Sequence, residues 1–531
     1  MSSRCKNCGG TLIYDISLEK VKCEFCSSVF EPESFNSGTA ADESGENLME
    51  TTEFTCPNCG AQVASTEFDS IDYCMYCGSF VSLESQMKKL RRPDKILPFS
   101  RTKEECRKSY RKALRKRIYA PQEFRDESFI EGFKGVYVPF WNYEYSYGPE
   151  IKLKGETETR EGDYIYTQHF ETMCKASGHV ENSVYDASSN FDDTVSLRIA
   201  PYPKDKIKDF NTSYMFGFYG DTADISDNLY RKDSDQEVET RLWDDLTGCR
   251  EAGKGHFLSS KPASFVSDVN MKKSTSLVML PVWFLTWRKG DRIAYSAVNG
   301  ETGEAYTETP IDMLRYIVIS ILTAVPIFFL LNAAVTFSAK NMLAMSMLLS
   351  IFMGIVYIFE LDKIVRRVMH TDDRGFLAKH EDAKKASDES VSDNLFTILW
   401  EFIKDTVAGC GLYSIVLAAG AIFVLLDYVT VAIVIVAVSL PIYSAYRLRK
   451  NIKILKDKTV WIDISGIAFS LIYGTALLLI DPAPDLPFYI ASLFGMAGVG
   501  FAALRMAKRY NELITRPIPH FFEHRKGGNA S

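Results

Sequence analysis

The sequence predicts a multidomain chain: two small four-cysteine β modules, an α+β middle domain with signs of internal duplication, and an all-α transmembrane region with six helices. Three observations predict it. Eight of the twelve cysteines form four Cys-x-x-Cys pairs, and the spacing from Cys5 to Cys56 and from Cys23 to Cys74 is the same 51 residues. Residues 95–310 are rich in β-branched and aromatic runs. Residues 311–510 hold apolar runs of membrane length, although the 531-residue chain is only 46% hydrophobic with a formal net charge of −7. The opening "MSSRCKNCGG" lacks an apolar core, so no secretory signal is expected there.

The head divides into a first module over residues 1–30, an acidic linker over 31–52 and a second module over 53–85. Both modules read Cys-x2-Cys-x14-Cys-x2-Cys, the first with Cys5, Cys8, Cys23 and Cys26, the second with Cys56, Cys59, Cys74 and Cys77. Without a secretion signal, this is metal-ligand spacing rather than a disulfide framework. Four thiolates complete a tetrahedral zinc site, so two structural zinc ions are expected, with no position open for a catalytic water. Glycine follows Cys8, Cys59 and Cys77, as a tight knuckle turn requires. A core this small needs the metal to hold it. Cys106, Cys174, Cys249 and Cys410 are scattered and read as ordinary thiols.

Residues 27–55 carry seven acidic side chains and no Lys or Arg, which reads as a flexible acidic linker and argues against nucleic-acid binding there. Residues 88–117 reverse the sign, with fourteen Lys or Arg and three acids. Within 102–118, Cys106, Tyr110, Ala113, Leu114 and Ile118 fall at helical spacing, so a helix buries that stripe and shows a basic face. A solvated face is the bland reading of that charge. The sharper one is contact with anionic headgroups or another polyanion through Arg107, Arg111 and Arg115.

The middle domain, residues 95–310, contains "GVYVPFWNYEYSY" at 135–147 and "SLVMLPVWFLTW" at 276–287. Each is a strand-type run with Pro two residues before Trp, and each follows an expected helix, 102–118 and roughly 225–247. Proline inside such a run predicts an edge strand or a bulge. Lys289-Gly-Asp291, Asn299-Gly and Thr302-Gly mark hairpin turns. No phosphate-binding loop or nucleophile elbow is present, so no catalytic residue is nominated and the chain reads as a non-enzyme. His169, Glu171, Cys174 and His179 fit no standard metal spacing.

Apolar runs at about 316–337, 342–359, 407–426, 429–446, 464–480 and 486–504 give six spans within a transmembrane region at 314–506, followed by a tail at 507–531. Lys and Arg concentrate in "RLRKNIKILKDK" (447–458), in "DKIVRRVMH" and in the tail, whereas "SAKN", "DY" and "DPAPDLP" hold one lysine. The bias places both termini in the cytoplasm, where thiols stay reduced. No ionisable residue falls at a midplane, which disfavours a transporter. Ala491, Gly495, Gly498 and Ala502 predict close helix packing in the last span.

The order of "CKNCGGTLIYD", "VKCEFCSSVF", "CPNCGAQV", "YCMYCG", "PDKILPFSRTKEEC", "GVYVPFWNYEY", "EGDYIYTQHF" and "LPVWFLTWRKGDRIAYSAVNGETGE" resembles a family of bacterial zinc-ribbon membrane proteins. These are labelled TFIIB-type zinc-ribbon proteins or likened to the primosomal helicase protein N′. The resemblance covers roughly residues 1–335, and the extra spans beyond 340 depart from it. It implies a cytoplasmic double ribbon, a β-rich middle and membrane spans. It also implies partners among SPFH (flotillin-like) and phage-shock-protein-A-like membrane-stress proteins. The expected function is therefore a non-enzymatic scaffold in the inner membrane that recruits protein partners to the lipid bilayer. The rival readings are a membrane-tethered nucleic-acid binder, which the acidic linker disfavours, and a transporter or channel with a regulatory zinc domain.

Overall fold

The computed structural model describes residues 4–35, 48–65, 74–79, 84–147, 150–162, 164–175, 178–248, 256–257, 271–334, 338–368, 373–379 and 459–518. In the head, β1 (Leu12–Asp15) and β2 (Lys20–Cys23) bury Leu12, Tyr14, Val21 and Cys23, the alternate positions of a half-buried hairpin. β3 (Val29–Phe30) closes this three-stranded sheet. The start of the expected acidic linker is docked, not free. Residues Pro32–Phe35 form a short 3-10 helix, Pro32 O accepts from Asn211 Nδ2 at 3.1 Å, and Phe35 meets Phe216 edge-on. Residues 36–47 lie outside the described residues.

β4 (Leu48–Thr55), β5 (Gln62–Ser65) and β6 (Glu84–Arg91) frame the second cysteine group, so its sheet reaches beyond the expected 53–85, back into the expected linker at 48–52 and on to Arg91. The middle domain continues with β7 (Lys95–Ile96), α1 (Lys103–Arg115), α2 (Glu127–Ile130), β8 (Lys134–Tyr147), β9 (Glu150–Glu161), β10 (Tyr164–Lys175) and β11 (Gly178–Asp186). It then runs through α3 (Asp193–Ile199), β12 (Lys208–Asp209), β13 (Tyr219–Asp221), α4 (Arg231–Gly248), β14 (His256–Phe257), β15 (Met271–Lys289), β16 (Arg292–Asn299) and β17 (Ala305–Thr307). One large sheet runs β12-β7-β15-β8-β13-β5-β4-β6, so the second module is built into it through β5 and β13. β9, β10 and β14 make a separate three-stranded sheet.

β8 and β15 pair antiparallel along the whole of β8, from Lys134 opposite Phe284 to Tyr147 opposite Met271. The prolines do not mark edges, because both strands are central. On its other side β8 pairs first with β13 at Val136–Tyr137 and then with β11 from Phe140 onward. Pro139 sits where one partner gives way to the other, and its carbonyl accepts from Ala187 N at 3.0 Å. The nitrogen and carbonyl of a strand residue point the same way, so the missing N–H faces Ala187, whose carbonyl accepts instead from Asp224 N at 2.9 Å and Ile225 N at 3.1 Å. Pro281 repeats the device. β15 leaves β7 after Met279 and takes up β16 at Val282, and Pro281 O accepts from Gly300 N at 2.9 Å.

α1 opens with a capping box between Thr102 and Glu105. It buries Cys106, Tyr110 and Leu114, as their spacing predicts. The helix ends at Arg115, so Ile118 leaves the stripe and is exposed.

Four helices among the described residues are long and apolar enough to cross a membrane: α5 (Met313–Ala334), α6 (Ala339–Val368), α8 (Val460–Ile480) and α9 (Leu486–Ile514). A short helix, α7 (Arg374–Lys379), lies between the second and third of them. The described count is thus four, not six; the expected spans at 407–426 and 429–446 lie outside the described residues. The chain reads as a membrane protein. α6, α8 and α9 form a bundle in which Ala491, Gly495, Gly498 and Ala502 are buried. A Cβ on Gly466 would come within 2.9 Å of Gly498 Cα, so α8 and α9 touch backbone to backbone.

The bundle is fastened to the sheet. After α9, β18 (Arg516–Pro517) pairs with Arg292–Ile293 of β16. Glu308, fully buried, accepts from Arg367 of α6 at 2.5 Å and from Arg516 at 2.6 Å. Arg516 also donates to Asp192 at 2.9 Å and lies over the Tyr295 ring. Burial alone would raise the Asp192 carboxyl, but the Arg516 and Arg367 guanidiniums override it and hold it at about 2. Such a depressed carboxylate stabilises the fold above the ordinary Asp value of about 4, and that contribution fades as pH falls toward 2. The melting temperature of Asp192→Asn should therefore lie below wild type at pH 7 and approach it as the pH drops below about 4. Gly498→Val should destabilise the bundle by roughly 1–3 kcal/mol or more, read as a lower melting temperature in detergent.

Candidate metal centres

Each module brings its four sulfurs together by two local turns. In the first, Cys5 N donates to Gly10 O at 2.8 Å and Gly9 N to Cys5 O at 2.8 Å, while Cys23 N donates to Ser28 O at 2.9 Å and Ser27 N to Cys23 O at 3.0 Å. The second repeats this at Cys56–Ala61 and Cys74–Ser79. Each turn needs a residue with positive φ. Glycine supplies it at Gly9, Gly60 and Gly78, and Ser27 adopts φ 55° at the fourth.

Cys5, Cys8, Cys23 and Cys26 have all four Sγ atoms within 4.8 Å of one another, and so do Cys56, Cys59, Cys74 and Cys77. The close pairs are Cys5–Cys26 at 3.6 Å, Cys8–Cys23 at 3.5 Å, Cys56–Cys77 at 3.7 Å and Cys59–Cys74 at 3.7 Å. A zinc ion at about 2.3 Å from four sulfurs needs sulfur separations of about 3.8 Å. The donor sets therefore fit two metal ions, and all four positions of each tetrahedron are filled by protein.

The repeat extends past the cysteines, which the ligand spacing did not reveal. Asn7 and Ser28 occupy the places of Asn58 and Ser79. Asn7 Nδ2 donates to Ser28 Oγ at 3.0 Å and Asn58 Nδ2 to Ser79 Oγ at 2.9 Å. The serine hydroxyls lie 3.1 Å from Cys26 Sγ and 3.2 Å from Cys77 Sγ. Hydrogen bonds to sulfur favour the thiolate. The Ser28 hydroxyl, with its amide, draws the Cys26 thiol down to about 6. Outer partners of this kind orient the ligands and tune the metal.

The two centres differ in burial. Cys8 and Cys26 are exposed, and Phe25 beside them is 76% exposed. All four cysteines of the second centre are buried and belong to one apolar cluster with Val136, Val278, Val282 and Phe284 of β8 and β15. Thr286 Oγ1 donates to Met75 O, and Tyr295 OH donates to Tyr76 O at 2.9 Å. Arg288 Nη1 reaches Cys77 O at 3.3 Å and Ser79 Oγ at 2.5 Å. The second centre is thus wedged against β15 and β16.

The basic residues of α1 are not one face. Arg107 is partly buried with its Nε unpartnered, Arg111 pairs with Glu127 at 2.5 Å, and Arg115 is exposed. Lys116 and Arg117 are exposed beside it. Tyr119 then meets Tyr316 of α5 edge-on, and Tyr119 O accepts from Asp312 N at 2.8 Å. The C-terminal end of α1 therefore lies beside the start of the first apolar helix.

Sequence reasoning also missed a charged cluster at the start of α8. Asp463 is fully buried and accepts from Arg505 and Arg509 of α9, each at 2.5 Å, and from Tyr357 of α6 at 2.6 Å. Its partners lie 42 to 106 residues away, so no local pattern announces them.

No protein-family model matches the chain, and no solved structure matches it. The uncharacterized protein YdjG of Bacillus subtilis (strain 168) is 25% identical over 321 residues, covering 59% of this chain and 91% of that protein.

Unequal burial sets unequal consequences for losing each metal. Cys56→Ser with Cys59→Ser should lower the melting temperature of the whole middle domain, a loss of several kcal/mol, because it opens the main core. Cys5→Ser with Cys8→Ser should release one metal equivalent and leave that transition largely in place. Metal content by mass spectrometry beside thermal melting checks both.

Proposed function

We propose that this chain is a non-enzymatic, membrane-anchored scaffold whose first ribbon presents a docking knuckle to protein partners. The observation that carries this reading is the contrast between the two centres. One is consumed in the core as a strut, whereas the other holds Phe25 out at 76% exposure on a metal-braced turn. A large aromatic side chain on a rigid support loses little entropy on binding and is a common anchor of interfaces. Zinc is the metal that four thiolates in a closed tetrahedron suit best.

The Lys and Arg bias of the loops supports a reading in which the sheet and both ribbons lie on the cytoplasmic side of an inner membrane, where thiols stay reduced. On this reading the exposed Arg115, Lys116 and Arg117 lie over the headgroups beside α5. Anchoring acts by raising the effective concentration of a partner at the bilayer. SPFH-type and phage-shock-protein-A-like membrane proteins are the partners that the sequence resemblance proposes.

Affinity capture of the tagged full chain from native membranes, with and without nuclease, tests the reading beside a Phe25→Ser variant. One protein should be enriched by wild type, survive nuclease and fall at least fivefold with Phe25→Ser, as loss of a hot-spot anchor of over 1 kcal/mol requires. Enrichment of nucleic acid, with nuclease removing every co-captured protein, would replace the scaffold by a membrane-tethered nucleic-acid binder.

A further inference from the structure

The two cysteine centres share their sulfur geometry and differ in what can reach them. In the first, Cys8 and Cys26 are exposed while Cys5 and Cys23 are buried. In the second, Cys56, Cys59, Cys74 and Cys77 are all buried, enclosed by a cluster that includes Val136, Val278 and Phe284. Each exposed sulfur of the first centre has a buried one as its close neighbour. Cys26 Sγ lies 3.6 Å from Cys5 Sγ, and Cys8 Sγ lies 3.5 Å from Cys23 Sγ. A small shift of either turn would join such a pair.

The same turn carries Phe25, which directly precedes Cys26. Its ring leans on the opposite turn, since a Cβ on Gly10 would come within 2.5 Å of Phe25 Cδ2. The bond from Asn7 Nδ2 to Ser28 Oγ at 3.0 Å is a second link between the two turns. The seat of Phe25 therefore depends on how the turns face each other, and the four sulfurs between them set that.

We propose that the first centre is an oxidation site for hydrogen peroxide, at which Cys26 with Cys5, or Cys8 with Cys23, becomes a disulfide while the second centre stays reduced. The thiolate is the nucleophile, and its reactivity requires access. The exposed thiolate attacks one peroxide oxygen and the O–O bond breaks, giving a sulfenic acid and hydroxide. The adjacent buried thiolate then attacks that sulfur, the S–O bond breaks and a second hydroxide leaves. Two thiolates and one peroxide thus give one disulfide and two hydroxides, with two electrons passing from sulfur to oxygen. The remaining pair of sulfurs is an incomplete ligand set, so metal is released and the turn bearing Phe25 shifts against the turn bearing Gly10. Oxidation in this way regulates the docking knuckle, and that consequence rests on the docking reading of the first ribbon. The second centre has the same sulfur spacing, so burial alone separates the two.

The test treats the full chain in detergent with hydrogen peroxide. Released metal is followed with a chromogenic chelator, and every cysteine is mapped by differential alkylation and mass spectrometry. One metal equivalent should leave about tenfold faster than the other, or more, as the difference in access requires. The fast phase should coincide with a disulfide within Cys5, Cys8, Cys23 and Cys26, with Cys56, Cys59, Cys74 and Cys77 still reduced. A dithiol reductant with added zinc should reverse both changes. Cys5→Ser with Cys8→Ser should lose the fast phase and keep the slow one; if that variant does not fold, the wild-type mapping decides. Loss of both metals at one rate, faster oxidation of the second centre, or oxidation of the first without a disulfide overturns the site. A chain that holds no metal before treatment overturns the metal reading, and selective formation of the first-centre disulfide then still supports the oxidation site. Capture of a partner by the untreated chain keeps the docking reading whatever peroxide does, so the two proposals fail separately.

Discussion

The pairing of β8 with β15 is the constraint on which the remaining structure depends. It is a long antiparallel ladder between segments more than a hundred residues apart, and every other part of the large sheet is attached to one side of it or the other. β13 and β11 share the outer side of β8, and β7 and β16 share the outer side of β15. Each side has a break in which the partner changes, and a proline fills each break. The missing N–H of proline, which would otherwise leave a carbonyl unpaired in a central strand, is harmless because the carbonyls opposite, Ala187 O and Gly300 O, accept instead from Asp224 and Ile225 N and from Ser100 and Arg101 N.

Through these four attachments the ladder carries both metal modules and the membrane bundle. The second centre reaches it through β5 and β13 and through Thr286 and Tyr295. Tyr295 also lies under Arg516, whose Nη2 donates to Glu308, which in turn accepts from Arg367 of α6. A continuous series of contacts thus runs from the buried cysteine cluster to the helix ends. Glu308 takes two guanidiniums while fully buried, which is favourable only because both approach with hydrogen-bond geometry.

The two cysteine modules show how one ligand set can serve different ends. Their turns, sulfur separations and supporting Asn and Ser residues correspond position by position. What differs is the surroundings. The first packs by one face on Tyr214 and Phe216 and leaves its outer knuckle in solvent. The second has β15 and β16 on it and no exposed cysteine. The scaffold proposal rests on that asymmetry, because a centre with an exposed face has a surface to present.

The sequence by itself determined the two four-cysteine groups, the buried stripe of α1 at Cys106, Tyr110 and Leu114, the two Pro-x-Trp strands and the four described apolar helices. Each is a local pattern: knuckle spacing, helical period, β-type composition or hydropathy is complete within about thirty residues. Tertiary structure alone decided that the second cysteine module is part of the sheet, that Pro139 and Pro281 lie in central strands, and that Arg111 is tied to Glu127 while Arg115 is exposed. It alone decided the charged clusters at Glu308 and Asp463. Arg516 and Glu308 are 208 residues apart, and neither is unusual in its own neighbourhood. Such pairs arise because burying a charge is costly unless another segment brings its counterpart, and which segment does so is settled only when the chain has folded.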